Sequence, residues 1–280
     1  MEENILKEQN FRFKKQFGQN FLTDKNLLKA IVLDAGITSE DEVLEIGAGA
    51  GALTMELAKV AKKVVSYEID SDLKPILETN LKDFNNVEVI FSDFLKVKPE
   101  ELKKHFTKNF KLVANLPYYI TTPILFYLLE QNFDVTSITV MVQKEVAERL
   151  VSKENTKDYG RLTISANIMC DVSIKRIVNR KLFYPVPNVD SAIVHFVVNK
   201  NKYEIKNEAL LKKLIKSSFS MRRKTLINNL KQGFMLNQQE LENALSLCNL
   251  PINIRAESLT IQNFINLANI FDKSNQKNMR

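Results

Sequence analysis

Asn115-Leu116-Pro117-Tyr118-Tyr119 follows directly on the apolar run Phe110-Lys111-Leu112-Val113-Ala114. The Asn115 side chain offers an acceptor oxygen, a proline-fixed turn frees a backbone carbonyl at Leu116, and Tyr118 offers an aromatic face. These groups can together hold an exocyclic amine on a planar ring. An enzyme that modifies such an amine is therefore the leading reading, and Tyr119 has no evident part in it.

Three other features end apolar runs in the same way. Gly47-Ala48-Gly49-Ala50-Gly51 closes the run Val43-Leu44-Glu45-Ile46 and opens a helical segment. Small residues there let the backbone approach a ligand, and a helix N-terminus offers amide donors. Glu68 ends the second run, seventeen positions after Gly51, where a carboxylate can accept from both hydroxyls of a ribose. Asp93 follows the third run, in Ser92-Asp93-Phe94-Leu95, and suits an adenine amine beside an apolar wall. Each feature alone is weak, because glycines make tight turns and acids cap loops. Their succession at consecutive strand ends, finishing with Asn115, is far more specific. A nicotinamide dinucleotide is the natural competitor, but its Gly-x-Gly-x-x-Gly spacing cradles a pyrophosphate and is not the spacing of Gly47, Gly49 and Gly51. A phosphate-free adenosine cofactor with a charged sulfur, S-adenosylmethionine, fits better.

Other chemistries lack their parts. Cys170 and Cys248 stand far apart, and His105 and His195 are the chain's two histidines. A metal site, a disulfide framework and Ser-His-Asp or Cys-His catalysis are accordingly not expected. No apolar run reaches the length of a membrane span, and Met1-Glu2-Glu3-Asn4 lacks the basic and apolar regions of a secretory signal. A cytoplasmic protein without a membrane partner is expected.

The elements that must position these residues follow from periodicity. Short β-branched runs begin at Val43, Val64, Val87, Lys111 and Ile138, with helical spacing near 51–60, 71–82, 98–106 and 121–131 between them. The last helix opens on Thr121-Thr122-Pro123, read as cap and first-turn proline. Alternating strands and helices predict an α/β, Rossmann-like parallel sheet covered on both faces. Strand-like runs at 172–178 and 191–198 flank Phe183-Tyr184-Pro185-Val186-Pro187 and predict a hairpin-like addition to the sheet. Beyond the polar link Asn199-Lys200-Asn201-Lys202, helical spacing persists to Phe271, so the division expected is 1–200 for the Rossmann-like domain and 201–280 for a small all-helical one.

The net charge of +7 is not spread evenly. Residues 201–280 hold 13 Lys or Arg against 6 Asp or Glu, whereas residues 1–200 balance at 27 each. A neutral body with a basic appendage suits a polyanionic partner, drawn by phosphate contacts and counterion release.

The chain resembles the KsgA-type ribosomal RNA adenine dimethyltransferases, a family akin to the Erm-type resistance methyltransferases. The resemblance lies in Gly18-Gln19-Asn20-Phe21-Leu22, Val43 through Gly49, Asn115 through Pro123, Gln143 through Leu150, Tyr159-Gly160-Arg161-Leu162, Phe183 through Ser191, and Arg222 through Leu226. It covers about 11–271. Leu116 and Thr121-Thr122-Pro123 favour the KsgA type over the Erm type. Ala48 departs from the family, which usually has proline there.

This resemblance implies a methyltransferase domain with a helical C-terminal domain, S-adenosylmethionine as cofactor, and Asn20, Leu22, Gly47, Gly49, Glu68, Asp93 and Asn115 at its pocket. Asn115 and Leu116 would orient adenine N6, with Tyr118 stacking on the base and Phe183 closing its other face. The implied substrate is 16S rRNA in the small ribosomal subunit or its precursor, at two adjacent adenosines near the 3′ end. Arg12, Lys14 and Lys15, with Arg222, Arg223 and Lys224, would grip the RNA. A monomer is expected.

Overall fold

A computed structural model describes residues 21–22, 24–131, 133–234 and 236–278. Arg12, Lys14, Lys15 and Asn20 lie outside the described residues. The chain divides into two compact units, 1–147 with 171–198, and 148–170 with 199–280. A single cut after residue 200 is thus replaced by a split in which 148–170 joins the C-terminal helices. The cause is apolar burial: Tyr159 and Ile164 share a hydrophobic cluster with Leu211, Leu214, Leu226 and Phe264. Tyr159 also donates its hydroxyl to the Leu259 carbonyl at 2.8 Å.

In the first unit β1 (Phe21–Leu22) leads into α1 (Lys25–Asp34). That helix is capped by Asp24, which accepts from the Leu27 N–H at 2.8 Å, and it buries Leu27, Leu28, Ile31 and Val32 at helical spacing. Alternation then sets in, as β2 (Glu42–Ile46), α2 (Ala52–Ala58), β3 (Lys63–Glu68), α3 (Lys74–Leu81), β4 (Val87–Phe91), α4 (Pro99–Leu102), β5 (Phe110–Asn115), α5 (Thr121–Glu130) and β6 (Val135–Gln143). Of the helix expected over 98–106, only the first turn is α-helical, followed by a 3-10 turn at Lys103–His105. Leu102 is the only buried side chain across both pieces, and one apolar anchor does not sustain a longer helix.

The chain continues through α6 (Lys144–Leu150), α7 (Arg161–Met169), β7 (Cys170–Val178), β8 (Phe183–Tyr184) and β9 (Ser191–Val198). Seven strands form one sheet in the order β4-β3-β2-β5-β6-β9-β7. Strands β2 to β6 pair in parallel, and β9 joins β6 antiparallel. All five residues of β2 are buried, as in a sheet covered on both faces. Order runs outward from β2 to β4 on one side and from β5 to β6 on the other. That reversal opens a crevice at the carboxyl ends of β2 and β5, where ligands bind in such sheets. Separately, β1 pairs antiparallel with β8, which sets Leu22 opposite Phe183.

Helices make up the rest of the second unit: α8 (Glu208–Ser218), α9 (Leu226–Gly233), α10 (Gln238–Leu247) and α11 (Ile261–Asn278). By sequence this unit holds 18 Lys or Arg against 9 Asp or Glu, a net +9, and the first unit carries −2. The basic excess is thus larger than the cut after residue 200 suggested. Among the described residues no helix is long and apolar enough to cross a membrane.

Candidate active site

The turn after β2 is built from three glycines in the left-handed region, with φ of 85° at Gly47, 57° at Gly49 and 90° at Gly51. Residues with a Cβ rarely adopt such angles. The Gly47 N–H donates to the Tyr67 carbonyl at 2.8 Å and that of Gly51 to the Ala48 carbonyl at 2.9 Å. The turn therefore closes with alanine in place of the family's proline. Behind it, buried Glu45 accepts from the Thr54 hydroxyl at 2.6 Å and the Ser66 hydroxyl at 2.7 Å, which ties β2 to both α2 and β3.

Glu68 is 6% exposed. Its Oε2 accepts from the Gly49 N–H and its Oε1 from the Asp70 N–H, each at 2.8 Å. Burial holds the Glu68 carboxyl above its ordinary pKa, against the lowering effect of those backbone donors. After β4, Asp93 caps a short 3-10 turn by accepting from the Leu95 N–H at 3.1 Å, and its carboxylate lies 3.5 Å from Lys96 Nζ.

Asn115 ends β5, and the next residue, Leu116, donates its N–H to the Met141 carbonyl of β6 at 3.2 Å. The Pro117 carbonyl accepts from the Ile120 N–H at 3.1 Å and from the Thr121 hydroxyl at 2.9 Å. Thr121 is accordingly the first residue of α5 and tightens the preceding turn; Ile120 holds the cap position, without a side-chain bond. The Tyr118 hydroxyl lies 2.6 Å from Ser191 Oγ at the start of β9.

An open cleft gathers Leu22, Gly47, Gly49, Glu68, Asp93, Asn115, Leu116, Tyr118 and Phe183. Each described residue of the first unit assigned from the sequence to the cofactor or the base lines it, whereas Gly51 lies outside its lining. Ile69, Phe94, Leu95 and Tyr119 line it too. Their signal was adjacency, since each stands within two positions after Glu68, Asp93 or Tyr118. Tyr119 is 51% exposed, and its hydroxyl is held above its ordinary pKa first by burial and then by the Asp93 and Glu68 carboxylates. Positive-φ glycines, a buried acceptor at the end of β3 and apolar walls fit an adenosine-type cofactor. Among the described residues no group of three or more His, Cys, Asp or Glu could hold a metal ion.

In the second unit, Arg222, Arg223 and Lys224 are exposed between α8 and α9. Asn229, 2% exposed, holds their loop: its amide donates to the Ser218 carbonyl at 2.6 Å and the Met221 carbonyl at 3.2 Å. Arg222 is partly committed, since its guanidinium donates to the Lys157 carbonyl at 2.6 Å.

A parallel sheet that presents a glycine turn, an acid, a second acid and an Asn-Leu-Pro-Tyr element at successive strand ends defines a Rossmann-like methyltransferase. Residues 10–273 match the ribosomal RNA adenine dimethylase family, and the chain belongs to that family. It is 45% identical over 271 residues to Ribosomal RNA small subunit methyltransferase A of Clostridioides difficile (strain 630), covering 96% of this chain and 94% of that protein. Among solved structures, a dimethyladenosine transferase from Plasmodium falciparum superposes with a TM-score of 0.73 at 29% identity, covering 91% of this chain and 98% of that one. The 23S rRNA methyltransferase ErmE does so with a TM-score of 0.66 at 29% identity, covering 90% and 99%. The protein is an enzyme that dimethylates adenine in ribosomal RNA.

Proposed function

We propose that the protein transfers methyl groups from S-adenosylmethionine to N6 of two adjacent adenosines in the loop near the 3′ end of 16S rRNA. Each adenosine receives two methyl groups, within the small subunit or its precursor, and the enzyme works as a cytoplasmic monomer. The observation that carries this reading is the convergence of Gly47, Glu68, Asp93, Asn115, Leu116, Tyr118 and Phe183 on one cleft. The small-subunit target is supported by likeness to proteins called Ribosomal RNA small subunit methyltransferase A.

S-adenosylmethionine, when bound, supplies an electrophilic methyl group on a positively charged sulfur. The Glu68 carboxylate has acceptor capacity beyond the Gly49 and Asp70 N–H groups, and that capacity takes ribose hydroxyls. Asp93 accepts from the cofactor's adenine amine, with Phe94 and Leu95 as apolar walls. For the substrate base, the N6 lone pair is delocalised into the ring and is a poor nucleophile. Hydrogen bonds from N6 to the Asn115 side-chain oxygen and the Leu116 carbonyl draw the nitrogen toward tetrahedral geometry and aim its lone pair. No charged general base is required, because the nitrogen becomes acidic only as the methyl group arrives, and its proton then passes to water. Tyr118 stacks on the base and stabilises the developing cation, at ~1 to 3 kcal/mol for base–aromatic stacking, and Phe183 closes the other face.

A base must leave its stack to enter such a cleft, which favours unpaired loop RNA over regular duplex. Arg12, Lys14 and Lys15 grip that RNA together with Arg222, Arg223 and Lys224, the latter within the unit of net charge +9. The test is mass spectrometry of rRNA after incubating unmethylated small subunits with labelled cofactor. Label in two adjacent dimethyladenosines near the 3′ end of 16S rRNA is expected. Label elsewhere in the 16S rRNA, or none, would overturn the reading.

A further inference from the structure

The substrate face of the cleft is held by one loop at two points. The stretch from β8 to the start of β9 begins at Phe183, which is buried and paired with Leu22. It ends at Ser191, which is 0% exposed and lies 2.6 Å from the Tyr118 hydroxyl. Several bonds make the Ser191 end rigid. The Asp190 carbonyl accepts from the Lys144 N–H at 3.0 Å, and the Asp190 carboxylate accepts from the Arg180 N–H, also at 3.0 Å. The Arg180 guanidinium donates to the Asn188 carbonyl at 2.9 Å, and Ser191 itself pairs with Gln143 across the β9–β6 ladder. The same β6 accepts the Leu116 N–H through Met141.

We infer that Ser191 is a positioning residue for methyl transfer: it holds the Tyr118 ring by the hydroxyl, so that the ring face rather than the hydroxyl meets the substrate base. The inference rests on the reading of Tyr118 as the stacking face. Its physical content is that a tyrosine side chain has two free torsions. A hydrogen bond at the far end of the ring fixes the first, and with it where the ring lies, while rotation about the second leaves the hydroxyl oxygen in place and is restrained only by the in-plane preference of the phenolic O–H. The partner is a buried serine on a rigid ladder, so the ring is preorganised before RNA arrives. Burial also keeps the Tyr118 hydroxyl above its ordinary pKa. It therefore stays protonated at neutral pH and is not a proton acceptor for the amine.

Single-turnover methylation of unmethylated small subunits by S191A, Y118F, the double variant and Y118A tests this, with cofactor affinity measured by calorimetry. Losing the bond from either side is expected to lower the methyl-transfer rate about tenfold, the scale of one hydrogen bond acting through orientation. Cofactor affinity is expected to stay unchanged, and the double variant to be no slower than the slower single variant, because both substitutions remove the same bond. Wild-type rates for S191A, or effects that multiply in the double variant, would overturn the inference. Should S191A fail to fold, Y118F decides alone, and full turnover by it overturns the role. Near-normal turnover by Y118A would instead sink the stacking reading. Loss of activity in Y118A alongside an unaffected S191A would sink only the role of Ser191.

Discussion

The Gly49 N–H and the Glu68 carboxylate meet at 2.8 Å, so the glycine turn after β2 is held by the acid that ends β3. Glu68 thereby shapes the turn, and in the proposed reading it also presents a carboxylate acceptor to the cofactor. Its folded pKa is raised, with burial the first cause. The sign follows from linkage: in the free protein this carboxyl contributes stability that is fully present below the unfolded carboxylate range and lost as pH rises through the folded value. Cofactor binding runs the other way. Protonation turns one carboxyl oxygen into a donor and weakens the other as an acceptor, so affinity for S-adenosylmethionine is expected to fall as pH drops through the raised pKa, at a higher pH than an ordinary glutamate would produce. Calorimetric titrations across the acidic range check this, and E68A should weaken binding on the order of 10- to 100-fold. A flat affinity profile would exclude the role.

Asn115 stands where β5 ends and the Leu116 N–H is tied to Met141, so its backbone is fixed independently of its side chain. N115A is expected to keep the fold and to bind RNA nearly as the wild type does. Its turnover should fall by at least ~10²-fold, the scale for losing one preorganised transition-state interaction. Filter binding alongside a methylation assay separates the two effects, and near-normal turnover would overturn the mechanism.

Arg223 and Lys224 differ from Arg222, which also donates to the Lys157 carbonyl. Replacing Arg223 and Lys224 with alanine should weaken RNA binding and lower the slope of log affinity against log salt by about 0.7 to 0.9 for each phosphate no longer neutralised. R222A should in addition lower the melting temperature, because it frees the loop near Lys157. An unchanged salt slope in the double variant would remove these residues from the RNA interface.

At Gly233 a Cβ would lie 2.2 Å from Ser217 Oγ and 2.8 Å from Ser217 Cβ. Rotation of the serine can relieve the first clash and not the second, so α8 and α9 must move apart. G233A is expected to destabilise the helical unit by ~1 to 3 kcal/mol, as overpacking does. Denaturant unfolding measures it, and a stability equal to wild type would mean that the helices part without cost.

Much of the sheet was legible because its signal is local. Val43 to Ile46 and Lys111 to Ala114 are short β-branched or apolar runs, and the glycines and Asn115 follow them directly in sequence. What failed also has a local cause. The helix expected over 98–106 is helical over 99–105 but gives way to a 3-10 turn after Leu102, which alone among its side chains is buried. Thr121 reads as a cap by residue type, yet its hydroxyl is taken by the Pro117 carbonyl.

Composition and order along the chain were enough to establish a Rossmann-like sheet, the strand-end acids and glycines, the Asn-Leu-Pro-Tyr element after β5 and a basic C-terminal region. Each of these depends on neighbours within a turn or a strand. Tertiary structure alone decided that 148–170 joins the helical unit, that Leu22 faces Phe183, and that Ser191 holds Tyr118. A residue pattern states which side of an element is apolar and where the backbone can turn. It does not state which distant segment supplies the partner, because that choice is made by packing among all the elements at once.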